Sequence, residues 1–235
     1  MSSTKSPKDV FENIAAVYAE TVDSKPIHVY YERPNLWSLL PNNLAGLQVL
    51  DIGCGSGWYA EKLVEAQTQV TALDASPTMV ELTKQRLKGK GKVYLADLEQ
   101  PLSFLQDNNF DLIVASLIIH YVKNWLPLFA ELARVIKRQG ILVFSTHQPH
   151  MEATLFKLKN YYQKILITDH WKDVGEVKYY HHTLHELSEG LYQAGFLIER
   201  LLEPAPLPEM QKYDSIMYKN ITAHPWLLFV KAIKI

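Results

Sequence analysis

Apolar residues recur along the chain in two alternating patterns. Short apolar runs of strand length are separated by segments whose apolar positions lie three and four residues apart, the spacing of an amphipathic helix. Predicted strands cover residues 47–52, 69–74, 92–96, 110–115, 140–146, 196–202 and 226–235, and predicted helices cover 57–66, 77–88, 125–137 and 183–194. Because strands joined by helices cross over with one hand, the pattern predicts a doubly wound, mostly parallel α/β sheet with helices on both faces.

Local signals define the ends of two of these helices. Ser76 precedes Pro77, which is the combination of N-cap and first-turn proline expected at the start of the helix over 77–88. The basic pair Lys137 and Arg138 comes just before Gly140. This order predicts that the preceding helix ends there and that the next strand begins at residue 140.

Two regions lie outside the strand–helix alternation. Residues 1–45 contain two further predicted helices, over 10–22 and 34–41, and form an N-terminal helical cap ahead of the sheet. Residues 148–182 are rich in aromatic side chains, Lys and His, and we interpret them as an insertion on the substrate side, over the carboxyl edge of the sheet. We therefore interpret residues 1–235 as one domain with two additions.

Composition and charge restrict the class of protein. The 235 residues are 48% hydrophobic and 21% charged, which is ordinary for a soluble globular protein. The net charge of −1 is unlike the basic surface that nucleic acid requires. The single cysteine excludes an internal disulfide, and no apolar run approaches the length of a membrane span. We expect a cytoplasmic protein that binds a small molecule; nothing in the pattern predicts an oligomeric state.

Residues 47–60 hold the densest functional signal. A strand-like run ends at Asp51 and is followed by Gly53, Gly55 and Gly57, before a predicted helix. Glycines at the carboxyl end of a parallel strand allow a sharp turn and let a ligand approach the backbone. A dinucleotide fingerprint needs glycine or alanine at the position of Trp58, so the spacing argues against a nicotinamide-dependent oxidoreductase, which stays as an alternative.

The string Val-Leu-Asp-Ile-Gly-Cys-Gly-Ser-Gly-Trp-Tyr-Ala, residues 49–60, resembles the first motif of class I S-adenosylmethionine-dependent methyltransferases. It is similar to the small-molecule group typified by ubiquinone/menaquinone methyltransferases, and the likeness continues through residues 93–98, 110–121 and 131–147. The resemblance implies a Rossmann-like seven-stranded sheet with an antiparallel last strand and an N-terminal lid. It also implies an enzyme that uses S-adenosylmethionine, releases S-adenosylhomocysteine and methylates a small molecule.

The cofactor is expected to lie across three strand ends. Asp51 would attract the ammonium of the methionine part, Asp74 would accept the ribose hydroxyls, and the resemblance implies that Asp97 accepts the adenine amino group. Alternative roles are a helix cap for Asp51, a turn for Asp74, a loop carboxylate for Asp97, and packing for Met79, Cys54 and the tyrosines. The predicted cofactor-binding residues are Tyr18, Tyr30, Asp51, Gly53, Cys54, Gly55, Gly57, Asp74, Ala75, Met79, Ala96, Asp97, Leu98 and Ser116.

Two histidines follow the fourth and fifth predicted strands. His120 and His147 would face the acceptor as contact or general base, with His120 the preferred candidate and a structural role the alternative for both. The group His181, His182 and His185 lacks the acidic residue of a His-Glu-x-x-His site, so no metal is expected. A catalytically silent protein that binds the cofactor and assembles with a partner is the alternative to an enzyme.

Overall fold

Seven strands form one sheet in the computed structural model, which describes residues 7–171 and 174–235. In chain order these strands are β1 (Gln48–Ile52), β2 (Gln69–Asp74), β3 (Lys92–Leu95), β4 (Phe110–Ser116), β5 (Ile136–His147), β8 (Phe196–Leu202) and β9 (Leu227–Lys234). Strands β6 (Leu166–Trp171) and β7 (Gly175–Tyr180) pair only with each other, as an antiparallel hairpin.

The strand order in the sheet is β3-β2-β1-β4-β5-β9-β8. The first five strands of the chain are parallel, and β9 runs antiparallel between β5 and β8. The direction of winding reverses between β1 and β4, so the connections that leave these two strands diverge and open a crevice at the carboxyl edge. The predicted Rossmann-like, mostly parallel sheet with an antiparallel last strand is confirmed.

Helices cover both faces of this sheet. The described helices are α1 (Pro7–Val22), α2 (Arg33–Trp37), α3 (Trp58–Glu65), α4 (Pro77–Leu87), α5 (Trp125–Val135), α6 (Pro149–Leu155), α7 (Leu184–Gln193), α8 (Met210–Tyr213) and α9 (Ser215–Ala223). Successive side chains of a strand point to opposite faces. Thus Leu50 packs in the apolar cluster under α5 and α7, whereas its neighbour Val49 packs in the cluster under α2 and α3.

One predicted boundary is wrong. Helix α5 ends at Val135, and β5 begins at Ile136 instead of residue 140. Ile136 is fully buried and pairs with Phe110 in the ladder of β4, and the Lys137 ammonium lies 2.7 Å from the Asp111 carboxylate. Burial and strand pairing therefore override the helix-stop signal. The Ser76 cap, in contrast, is confirmed, because its hydroxyl accepts a hydrogen bond from the Met79 N–H at 3.1 Å.

The two additions are more structured than the sequence pattern indicated. A π-helical turn, His28–Glu32, joins the N-terminal helices, and the predicted helix over 34–41 is shortened to α2. Residues 148–182 contain α6 and the β6–β7 hairpin, and α1 packs against β7. Helices α8 and α9 were not predicted. Within the described ranges, no helix combines the length and the apolar character needed to cross a bilayer.

Replacing Phe129 tests the cluster under α5. Phe129 is fully buried on this helix, whereas Leu126 on the same helix is 45% exposed. We expect Phe129→Ala to lower the free energy of unfolding by about 3–5 kcal/mol, because it leaves a cavity in a close-packed core. Leu126→Ala, the matched control, should change it by about 0.5 kcal/mol or less. Urea titration measures both, and equal effects would contradict the assigned packing.

Candidate active site

A cavity of about 710 Å³ lies at the carboxyl edge of the sheet. Its walls are the ends of β1, β2, β4 and β5, the N-terminal segment, α6 and the β6–β7 hairpin. This volume is within the range of pockets that enclose a drug-sized ligand, and the position is the crevice where the strand order reverses. A cavity of ligand size therefore lies at the edge of the sheet that was predicted to carry the site.

The loop after β1 approaches the cavity with bare backbone. Gly53 has a φ of +65°, and a Cβ added there would lie 2.2 Å from Cγ1 of Ile118. Gly55 has a φ of +54°, and a Cβ added there would meet no protein atom within 4 Å. Packing inside the protein therefore requires glycine at position 53. At position 55 the absence of a Cβ instead leaves open space in the cavity. Gly57 begins α3 at a φ of +86° against Thr83 and does not line the cavity.

Asp51 lies at the end of β1 with its carboxylate buried against the cavity. The described residues supply no hydrogen-bond partner for its Oδ2. Burial, reinforced by the nearby charge of Asp74, raises the pKa of Asp51 to about 8. A buried carboxylate oxygen without a donor is costly. A cationic group at this point of the cavity would supply the missing partner.

Asp74 is fixed at the end of β2 by two backbone donors. Its Oδ2 accepts from the Gly55 N–H and its Oδ1 accepts from the Ser76 N–H, both at 2.9 Å. The turn that the sequence offered as the alternative role of Asp74 is therefore present. Each carboxylate oxygen can accept a further hydrogen bond, so the turn and a ligand role are compatible. Burial raises the pKa of Asp74 despite these donors.

The remaining predicted cofactor residues divide into two groups. Those that line the cavity, besides Gly53, Gly55, Asp51 and Asp74, are Tyr18, Cys54, Ala75, Ala96, Asp97, Leu98 and Ser116. Met79, Tyr30 and Gly57 do not reach it. Met79 is fully buried in α4, and the Tyr30 ring stacks on Tyr213 with 5.0 Å between centroids. For Met79 and Tyr30 the positions of the side chains favour the packing alternative, because neither residue lines the crevice.

Glu32 is a cavity residue that sequence reasoning missed. Its carboxylate is fully buried and accepts hydrogen bonds from the hydroxyls of Ser116 at 2.8 Å, Ser145 at 2.7 Å and Tyr59 at 3.1 Å. Burial raises the pKa of Glu32 although these donors oppose the shift. The three donors come from β4, β5 and α3, so no local pattern around residue 32 could have revealed the cluster.

His120 and His147 lie together at the other end of the cavity. Their rings stack with 4.0 Å between centroids, and both line the cavity. His120 is buried, and burial lowers its pKa well below the usual range, so this imidazole is neutral. His147 is partly exposed, with Nδ1 3.2 Å from Oε1 of Glu152. The structure therefore favours His147, where the sequence favoured His120.

Glu152 and His181 complete this end of the cavity. Glu152 lies on α6 between His147 and His181 and contacts Nδ1 of both. His182 instead stacks on Trp125, and His185 is exposed. Among the residues that the structure describes, no three His, Cys, Asp or Glu side chains are placed to hold a metal ion. We refer below to the end of β5, α6 and the β6–β7 hairpin as the acceptor end.

Cys54 is buried in the glycine loop, with Sγ 3.5 Å from the Thr83 hydroxyl. Burial raises the pKa of its thiol well above the usual range. A thiol of this kind is a poor nucleophile, so the structure gives Cys54 no catalytic role, and packing and contact with the cofactor both remain compatible with its position.

The comparisons with known proteins agree with this geometry. The sequence pattern of the methyltransferase domain family matches residues 50–144. A Haemophilus influenzae protein described as uncharacterized is 28% identical over 225 residues, 87% of each chain. A malonyl-[acyl-carrier protein] O-methyltransferase of Serratia marcescens is 36% identical over 101 residues, 43% of this chain and 38% of that enzyme. The structure matches an S-adenosylmethionine-dependent methyltransferase from Mesorhizobium loti with a TM-score of 0.77, 26% identity and coverage of 91% and 100%.

Residues 50–144 match the methyltransferase domain family, and the whole fold matches that of S-adenosylmethionine-dependent methyltransferases. The protein is an enzyme whose cofactor is S-adenosylmethionine and whose cofactor product is S-adenosylhomocysteine. The residues present fit this cofactor, since the unpaired Asp51 oxygen can receive an ammonium and the open space at Gly55 can receive a ligand. These findings favour a methyltransferase over the two alternatives, a catalytically silent cofactor-binding protein and a nicotinamide-dependent oxidoreductase.

The substitution Gly55→Ala tests whether the cofactor occupies the open space beside Gly55. We expect Gly55→Ala to weaken binding of S-adenosylhomocysteine at least about tenfold, because the new Cβ enters the cavity. Gly89→Ala is the matched control: Gly89 also has a positive φ, +80°, with open space around it, but it lies beyond the end of α4. Both variants should carry a similar strain of about 1–2 kcal/mol. Calorimetry that finds equal affinities would contradict the assigned position.

Proposed function

We propose that the enzyme transfers the methyl group of S-adenosylmethionine to a small-molecule acceptor by in-line displacement and releases S-adenosylhomocysteine. One observation carries this proposal: a single cavity joins the buried carboxylate of Asp51 to the imidazole of His147. Donor and acceptor could therefore meet in one enclosed space without a change in the fold.

The donor end supplies a different partner for each part of the cofactor. Asp51 would hold the methionine ammonium, and Asp74 would accept hydrogen bonds from the ribose. Asp97, with Ala96 and Leu98, would border the adenine. The Asp97 carboxylate accepts the Glu99 N–H at 3.0 Å, which keeps its loop in place beside the cavity. Ser116 would contact the methionine part from the end of β4.

The N-terminal segment would cover the sulfonium. Tyr18 lines the cavity, and its hydroxyl lies 3.3 Å from Nε2 of His28. An aromatic face beside a desolvated cation is favourable by about 1–2 kcal/mol. The buried carboxylate of Glu32 lies in the same wall. A positively charged donor would therefore find both an aromatic ring and negative charge at this point.

The acceptor end would align the nucleophile behind the methyl group and exclude water, which are the main requirements of a displacement at an activated sulfonium. Its walls are largely apolar and aromatic, with Met151, Leu155, Phe156, Trp171 and Tyr179. An enclosed cavity of this kind suits a small molecule. The net charge of −1 supports the same choice, because nucleic acid binding depends on a basic surface.

We also propose that residues 1–235 act as one domain, in which residues 1–45 close the donor end and residues 148–182 select the acceptor. The packing of α1 against β7 supports this division, because it joins the two additions over the cavity. A cytoplasmic location is part of the proposal and is supported by the free, buried Cys54, which fits a reducing compartment.

The raised pKa of Asp51 predicts how cofactor binding depends on pH. At pH 6 the Asp51 carboxyl, with a pKa of about 8, is protonated. The ammonium of the ligand pairs with the ionised carboxylate, so binding at this pH must first remove the proton from Asp51. Affinity for S-adenosylhomocysteine should therefore rise between pH 6 and pH 7.5, by at most about tenfold per unit. Asp51→Asn should remove most of this slope. Calorimetry across this range would contradict the role of Asp51 if the two proteins showed the same slope.

The proposed reaction is tested with cofactor labelled in the methyl group. We expect calorimetry to detect S-adenosylmethionine binding and the label to pass to components of a low-molecular-weight metabolite extract. Protein and RNA fractions incubated in parallel serve as controls. Label found only in a macromolecular fraction would overturn the small-molecule acceptor, and absence of binding at millimolar cofactor would overturn the donor site.

A further inference from the structure

The acceptor end contains a chain of three hydrogen-bonded side chains, to which neither the sequence nor the comparisons assign a joint role. It consists of His147, Glu152 and His181, which we call the His147–Glu152–His181 arm. Oε1 of Glu152 lies 3.2 Å from Nδ1 of His147, and Oε2 contacts Nδ1 of His181. Glu152 and His181 are both buried, whereas His147 lines the cavity and its side chain is 21% exposed.

The hydrogen bonds of the arm determine where the protons are. Nε2 of His181 lies 2.9 Å from the carbonyl oxygen of Tyr161, which can only accept, so this nitrogen carries a proton. Its Nδ1 faces a carboxylate and also donates. Burial alone would lower the pKa of His181, but Glu152 outweighs burial and the pKa is raised. His181 is therefore an imidazolium that balances an ionised Glu152.

An ionised Glu152 in turn selects one tautomer of His147. Its Oε1 accepts the proton on Nδ1, which leaves Nε2 of His147 as the nitrogen with a free lone pair. The ring cannot easily turn away, since it stacks on His120 at 4.0 Å and meets the edge of Tyr179 at 4.5 Å between centroids. The His147 ring is thus held in one orientation beside the cavity, and its neutral form is held in one tautomer.

The charges at the acceptor end restrict the acceptor itself. Glu152 is balanced by His181, and Oδ2 of Asp169 accepts from Trp171 Nε1 at 3.0 Å and from the Tyr179 hydroxyl at 3.2 Å. Among the described residues that line the cavity, the Lys and Arg side chains are Lys25 and Arg33 of the N-terminal segment. A carboxylate acceptor would therefore meet no Lys or Arg side chain among the described residues of this end, and an ammonium would have to share Asp169 with the Trp171 and Tyr179 donors.

We infer that Glu152 is a positioning residue that holds His147 as a general base, and that the acceptor is an uncharged hydroxyl group on an apolar body. In the step, Nε2 of His147 takes the hydroxyl proton and the oxygen forms a bond to the methyl carbon. The bond from that carbon to sulfur breaks, and its electron pair stays on the sulfur of S-adenosylhomocysteine. This inference rests on the methyl transfer proposed above.

The tautomer is tested without any acceptor. Nitrogen-15 NMR of the labelled protein with S-adenosylhomocysteine bound should show His147, assigned by its loss in His147→Asn, with Nδ1 protonated and Nε2 unprotonated. Glu152→Gln should abolish this preference, and the exposed control Glu189→Gln should retain it. A protonated Nε2 in the unmodified enzyme would overturn the inference. His147→Asn keeps the Glu152–His181 pair, so the base itself stays testable if Glu152→Gln fails to fold.

The acceptor class is tested with 4-propylphenol, 2-naphthol and 4-propylcyclohexanol, each beside the carboxylic acid and primary amine of the same skeleton. We expect methylation of hydroxyl compounds only. Methylation of an acid or an amine, or of no hydroxyl compound, would overturn the acceptor class. Binding of S-adenosylhomocysteine is measured on the same samples, and its absence would instead overturn the proposed function.

Kinetics on the best hydroxyl compound separate positioning from structural support. His147→Asn should lower kcat by about a hundredfold or more, the usual contribution of a general base. Glu152→Gln should lower kcat about tenfold while KM and the affinity for S-adenosylhomocysteine stay within twofold. The Glu189→Gln control should change none of the three. A Glu152→Gln effect confined to KM or to thermal stability would show that the residue only supports the structure.

Discussion

The three hydrogen bonds to the Glu32 carboxylate are the contact on which the shape of this enzyme's cavity depends. Burial of a carboxylate is costly unless its oxygens accept hydrogen bonds, and here hydroxyl donors from β4, β5 and α3 meet on one side chain of the N-terminal segment. The segment is thereby fixed to the carboxyl edge of the sheet. From there Arg33 pairs with Asp23 at 3.0 Å, and α1 continues across the crevice.

This attachment turns an open edge into an enclosed site with two chemically different ends. Acidic side chains follow β1 and β2, where a cationic donor would lie, and the histidines lie at β5 and beyond β4, where the acceptor would lie. The order of the strands makes this division, since β1 and β4 lie on either side of the reversal in winding. The β6–β7 hairpin completes the wall at the acceptor end, where the ring of Tyr179 packs against His147. In the proposed function, a sheet of the kind found in methyltransferases would receive its selectivity for the acceptor from the two additions.

The sequence predicted those features that depend on neighbouring residues. The strand, glycine loop and helix around Asp51 are local, and so is the Ser76 cap, which is why both could be predicted. Glu32 could not, because its serine partners lie 84 and 113 positions away, and the pairing of Glu152 with His181 could not, because they lie 29 positions apart. The same reason applies to Met79, whose full burial depends on how α4 packs and could not be predicted from the spacing along the chain.

The most direct test of this account is a crystal structure of the enzyme with S-adenosylhomocysteine. The account predicts the amino group within hydrogen-bond distance of Asp51, the ribose at Asp74, and the sulfur facing the end of the cavity that holds His147. It is contradicted if the ligand lies outside the cavity, or if it lies inside with its amino group away from Asp51 and its sulfur turned away from His147.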